Sequence, residues 1–195
     1  ESLVRAAVED DCDLVIADFY RVNGKHYVEK KHIKKKDVMS REEFAMEMAE
    51  DPADFYYGVM LNKLYRKSIL LEHQIQCDTS MNWCEDFVLN LQMIRHAERF
   101  RALQKPIYYY MKRKGSLVST EAVSTEAVKV KFELLEKYRD LYQSIGLYEE
   151  HKLKINSYIL AVAKDGAAGV MTPKSKKLST ENVIPDKGKP GYQHV

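Results

Sequence analysis

The spacing of apolar and polar positions changes several times along the 195 residues, and each change predicts an element. Residues 2–9 read as the end of a helix. Residues 13–20 (DLVIADFY) read as a strand, apolar on both faces in its first half and therefore buried there. Asn23-Gly24 is the strongest short hairpin signal in the chain, with a return strand from His26 to about Ile33. A solvated basic stretch, Lys30 to Lys36, follows. Ser40 and Glu43 have capping-box spacing and open a helix that Asp51-Pro52 stops; Phe44, Ala45 and Met48 give it an apolar face. Phe55 to Leu71 reads as a tyrosine-rich loop and a short extended or helical segment, and residues 72–82 as a polar loop. From Glu85 to about Glu98, Phe87, Leu91, Ile94 and Ala97 share one helical face. Residues 100–110 read as a strand with Pro106 at an edge or bulge.

The last third has a helical period. Residues 126–145 form an amphipathic helix with Val128, Phe132, Leu135, Tyr138 and Tyr142 in one stripe, ended by Gly146. A second helix runs from about Tyr148 to Lys164, with Leu153, Ile159, Leu160 and Ala163 available for burial. The pair predicts a helical hairpin packed on the sheet part. The final 23 residues hold three of the five prolines and five lysines, which suits a flexible tail or an element lying against another body. The pentapeptide STEAV at 119–123 recurs at 124–128, too short to be a repeat architecture.

Composition narrows the classes. With 45% hydrophobic residues and a net charge of +2, the chain is neither disordered nor built for nucleic acid by charge. Three cysteines without a repeated spacing (Cys12, Cys77, Cys84) argue against a disulfide framework and fit a reducing compartment. His73 near Cys77 and Cys84 matches no zinc spacing. No apolar run is long enough to span a membrane. Thirteen tyrosines suit half-buried surfaces and sugar-contacting grooves, or equally the rim of a core.

Four clusters could carry chemistry; the one at 62–67 (NKLYRK) alternates cationic and apolar residues, as a half-exposed strand or helix edge would. Asp11-x-Asp13 fits the DxD pattern that binds a metal ion bridging a nucleotide diphosphate, but it precedes its strand, where a helix-to-strand turn accounts for it. Glu85-Asp86 opens the most regular helix, just after the lone Trp83. Acids are favoured there by the helix dipole, and a carboxylate so placed is expected to have a lowered pKa and to accept a proton from a hydroxyl. Tyr108 to Ser116 (YYYMKRKGS) leads from a strand into either a solvated basic turn or a loop that binds phosphate oxygens through Arg113, Lys114 and backbone N–H groups.

Taken in order, DLVIADFY, the hairpin, YGVMLNKLYRKSIL, CEDFVLNLQMI and KPIYYYMKRKGSLVS resemble the C-terminal half of family 2 glycosyltransferases of the GT-A fold, the bacterial type that builds cell-surface polysaccharides. The likeness covers about residues 3–119. It implies an α/β fold: half of a GT-A sheet with flanking helices over 1–120, a helical hairpin over 121–165 and a tail over 166–195. It implies an inverting sugar transfer of hexosyltransferase type from a nucleotide-sugar donor to a saccharide or lipid-linked acceptor. In it Asp86 is the base, Glu85 and Trp83 bind the acceptor or orient the base, and Arg113 and Lys114 face the donor phosphates. The family's donor-binding half with its DxD does not appear, so neither a metal site nor activity is expected of this chain alone; Mg2+ or Mn2+ is expected in the full-length enzyme. The resemblance implies a cytoplasmic location, at the inner face of the membrane. The alternative is a binding or oligomerisation module, since a half-domain exposes apolar surface and would form a homodimer.

Overall fold

The computed structural model describes residues 1–24, 26–52, 54–78, 84–111 and 125–164, with side chains described for 129–158 in the last span. Helix α1 (Ser2–Glu9) leads into β1 (Leu14–Ala17), whose four residues are all buried. Burying three such aliphatic side chains stabilises the fold by about 1.5–3 kcal/mol each. Strands β2 (Phe19–Asn23) and β3 (His26–Lys30) form the antiparallel hairpin that Asn23-Gly24 predicts, and Gly24 takes the left-handed conformation (φ 61°) the turn requires. Helix α2 (Arg41–Glu50) begins at the capping box: Glu43 N–H donates to Ser40 Oγ at 3.2 Å, and Ser40 N–H donates back to the Glu43 carboxylate at 2.9 Å. One turn of helix, α3 (Phe55–Gly58), then β4 (Lys63–Tyr65), α4 (Lys67–Glu72) and α5 (Glu85–His96) follow. Strands β5 (Phe100–Leu103) and β6 (Tyr109–Met111) precede the helices α6 (Thr125–Ser144) and α7 (Tyr148–Lys164).

The strands make two small sheets, ordered β4-β1-β5 and β3-β2-β6. The same two passes of chain build both: β1 runs parallel to β5, and β2 runs parallel to β6. Between the sheets a single residue, Asp18, faces the longer detour 104–108. Asp18 N–H donates to Leu103 O (3.2 Å), Ile107 N–H to Asp18 O (3.0 Å) and Tyr20 N–H to Tyr108 O (2.8 Å). This is a bulge, so the expected strands 13–20 and 100–110 are each broken in two, and Pro106 sits where no ladder needs its missing N–H.

The core lies between the first sheet and the helices. Phe100 of β5 stacks on Phe44 of α2 with ring centroids 4.5 Å apart. Phe87, Leu91, Ile94 and Ala97 are all buried, as their spacing predicts. The helical hairpin forms, with Gly146 at φ 75° closing α6, but it packs on α5 and α2 rather than on a sheet face. Tyr138 stacks on Phe87, and the Tyr142 hydroxyl donates to Ala45 O at 2.6 Å. Two expected core residues face solvent instead: Phe132 is 62% exposed and Leu153 91%. The buried stripe turns through Leu134, Leu135, Tyr138, Leu141 and Tyr142 on α6, and Ile155 and Tyr158 on α7. Among the described residues no helix is long and apolar enough to cross a membrane.

Candidate functional site

Chemistry-bearing side chains gather at the C-terminal end of β1, the end at which open α/β sheets bind ligands. Strand β4 lies antiparallel to β1 with Lys63 opposite Ile16, and Ala17 N–H donates to Asn62 O at 2.8 Å, so residues 59–62 stand at that rim. The one-turn helix α3 ends just before, leaving carbonyls without intrahelical partners in a dry interior.

Three buried side chains take those carbonyls. Asn62 Nδ2 donates to Tyr56 O (3.2 Å) and Ala17 O (3.0 Å). Lys63 Nζ donates to Tyr56 O (2.9 Å), Val59 O (2.5 Å) and Asn62 Oδ1 (2.9 Å). Asn90 Nδ2 donates to Tyr57 O and Gly58 O, both at 3.0 Å, and at longer range to Val59 O (3.4 Å); its Oδ1 accepts from the Tyr65 hydroxyl at 2.6 Å. Burial pulls the Lys63 pKa down to about 7, against the opposing pull of Asp86 and Asp54.

The chain held in this way presents the Met60 N–H, which donates to Asp86 Oδ2 at 3.1 Å. Asp86 lies half-buried in the first turn of α5. Its pKa is raised, not lowered as its place at a helix N-terminus predicts. Burial is the largest cause, the Met60 N–H opposes it, the Glu85 charge adds to it and the Lys63 charge opposes it. Glu85 is half-buried beside it. Cys84, which precedes the pair, is buried in the left-handed region (φ 69°) and its side chain makes no cap hydrogen bond to the helix. Trp83, Arg113 and Lys114 lie outside the described residues.

The DxD-like pair occupies the opposite end of β1. Asp11 Oδ1 pairs with Arg66 at 2.5 Å and Asp13 Oδ1 with the same guanidinium at 2.7 Å. Asp13 Oδ2 also accepts the backbone N–H groups of Glu98 (2.8 Å) and Arg99 (3.1 Å). Both carboxylates are thus engaged within the chain, and they do not fit a nucleotide-bound metal. Elsewhere His32, Asp51 and Asp54 each bring a ligand atom within 4.8 Å of the others. Asp54 is already engaged there: its Oδ1 accepts Tyr56 N–H at 2.7 Å as the cap of α3, and its Oδ2 lies 3.8 Å from the Lys30 ammonium. All three cysteines are free thiols, and His73 stacks on His96 at 3.8 Å.

Three residues of this region escape a reading of the sequence alone. Lys63 belongs to an alternating cationic and apolar run that predicts a half-exposed edge, yet it is buried. Asn90 is of a residue type that is mostly exposed, and it is fully buried. Asp18 looks like a strand residue; it is buried at the bulge, with Oδ1 lacking a hydrogen-bond partner, and burial raises its pKa to about 6. The signal that would have helped for Asn90 is its i+3 spacing from Phe87 and i−4 spacing from Ile94, which puts it on the apolar face of the helix.

No protein-family model matches the sequence, and no curated protein matches it. Solved structures do. Residues 1–349 of Staphylococcus aureus TarS in complex with UDP-GlcNAc align at 24% identity with a TM-score of 0.55, over 83% of this chain and 44% of that one. The same TarS segment in complex with UDP aligns at 18% identity and a TM-score of 0.45, over 82% of this chain and 46% of that one. The first of these alignments shows a fold similar to that of TarS, and the chain spans less than half the length of those structures.

Proposed function

We propose that the chain is the acceptor side of a glycosyltransferase, which moves a sugar from a nucleotide-diphosphate donor to an acceptor hydroxyl with inversion at the anomeric carbon. Asp86 carries the reading. It is a half-buried carboxylate at the ligand-binding end of a parallel strand pair, tied to one backbone N–H. Its raised pKa makes it a stronger base than an exposed aspartate. The acceptor O–H gives its proton to Asp86 as its oxygen bonds the anomeric carbon. The bond from that carbon to the diphosphate breaks, and the diphosphate leaves with the electron pair. Glu85 and Trp83 orient the acceptor or the base, and Arg113 and Lys114 meet the leaving diphosphate. The fold likeness to TarS, solved in complex with UDP-GlcNAc, supports a nucleotide-sugar donor.

The acceptor is a saccharide or lipid-linked saccharide of a surface polysaccharide, met at the inner face of the membrane. Donor and Mg2+ or Mn2+ are held in the full-length enzyme by groups other than Asp11 and Asp13. The purified 195-residue chain, given a sugar nucleotide and Mn2+, is expected to show no turnover. In the full-length enzyme Asp86→Asn is expected to abolish transfer and leave donor affinity nearly unchanged; near-normal transfer would remove Asp86 as the base.

A further inference from the structure

We propose that Lys63 and Asn90 are positioning residues for Asp86: by gripping the carbonyls of residues 56–59 they hold the Met60 N–H on its carboxylate. The proposal rests on the reading of Asp86 as the base and extends it to the residues that fix that base in place.

The geometry makes the case in three steps. A helix of one turn cannot hold its own shape, because nucleation costs more than its few hydrogen bonds return. The conformation of α3 and of the segment reaching Met60 is therefore set from outside. Lys63 supplies three N–H donors on one nitrogen and meets three acceptors, Tyr56 O, Val59 O and Asn62 Oδ1, a match that uses the whole ammonium group. Asn90 uses both ends of its amide: the nitrogen takes the carbonyls of Tyr57 and Gly58, and the oxygen is fixed by the Tyr65 hydroxyl. Between them the two side chains engage every carbonyl from Tyr56 to Val59, and the next backbone group is the N–H that Asp86 accepts. Asn90 also lies one turn beyond Asp86 on α5. One helix therefore carries both the carboxylate and the clamp on the segment that donates to it, so the two keep register as the helix moves.

The test reads the Asp86 carboxyl directly, by its carbon chemical shift against pH in the 195-residue chain. The groups facing it are Glu85 and Cys84 on its own element, Lys63 and Tyr65 on β4, and Cys77 from the segment after α4. Asn90→Leu leaves all of these charges in place. Loss of the Met60 N–H contact is expected to raise the Asp86 midpoint by roughly half a unit or more. In the full-length enzyme the same variant is expected to lower kcat about tenfold, with donor KM within about twofold and the acid limb of the pH profile moved upward. Lys63→Met is expected to move the midpoint in the same direction. Tyr65→Phe, which removes only the hydroxyl that orients the Asn90 amide, gives a smaller rise and serves if Asn90→Leu does not fold. A folded Asn90→Leu or Tyr65→Phe chain with the Asp86 midpoint unmoved would overturn the proposal. Normal transfer by Asp86→Asn would instead overturn the base assignment and leave the midpoint shifts to report positioning alone.

Discussion

The two ends of β1 both carry polar and charged side chains and treat them in opposite ways. At the N-terminal end Asp11 and Asp13 share the guanidinium of Arg66, with Asp11 open to solvent. Water screens the Asp11 pair, whose worth is small, whereas the Asp13 side chain is largely covered. At the C-terminal end Lys63, Asn62 and Asn90 are buried, and their partners are backbone carbonyls rather than opposite charges. There each unmade bond leaves a polar group with neither water nor partner. One end secures a turn; the other is rigid enough to hold a carboxylate in place.

Mutations can break that comparison. The largest expected effect is on chemistry: Asp86→Asn lowers the transfer rate of the full-length enzyme about 10²–10⁴-fold, measured as sugar transfer at saturating donor. Next comes stability at the buried end. Asn90→Ala strands the Tyr57 and Gly58 carbonyls and the Tyr65 hydroxyl, and is expected to cost about 3 kcal/mol in denaturant unfolding. Asp18 sharpens the contrast through pH. Its folded-state pKa, raised to about 6, lies above its ordinary 3.8, so between these values the folded chain binds more protons than the unfolded one. Stability therefore falls as pH rises through that window. Asp18→Asn removes the fall, and its gain over the parent, about 3 kcal/mol at pH 7, vanishes near pH 3. At the solvent end Asp13→Ala, which frees the Glu98 and Arg99 N–H groups, is expected to cost about 1 kcal/mol. Asp11→Asn is expected to leave the thermal midpoint where it was; a large drop there would erase the distinction between the two ends.

Sequence pattern carries what is local. The Ser40–Glu43 box, the Asn23-Gly24 turn and the 85–96 helix each rest on residues a few positions apart, and each forms where the pattern places it. The ED pair likewise falls at a helix start, and the structure brings it to the C-terminal end of β1. What the pattern misses depends on partners far along the chain. Lys63 looks half-exposed because alternation shows period and not which face meets α3. The raised pKa of Asp86 comes from burial contributed by other elements, which outweighs the helix terminus that local reasoning sees. Phe132 and Leu153 fail for the reverse reason: an apolar residue announces that it can be buried, not that a neighbour is there to bury it.

The bulge between the two sheets also bears on how this fold tolerates change in length. On one pass of chain a single residue, Asp18, joins β1 to β2; on the other, five residues, 104–108, join β5 to β6. A residue added beside Asp18 would turn every side chain of β2 to the opposite face and slide it against both β3 and β6. A residue added within 104–106 lengthens a connection already longer than the one it faces, and both ladders stay in register. Length variants of this domain are therefore expected to collect in the second crossing and to spare the first. A library of single-residue insertions, sorted for folded chains, would show the asymmetry directly.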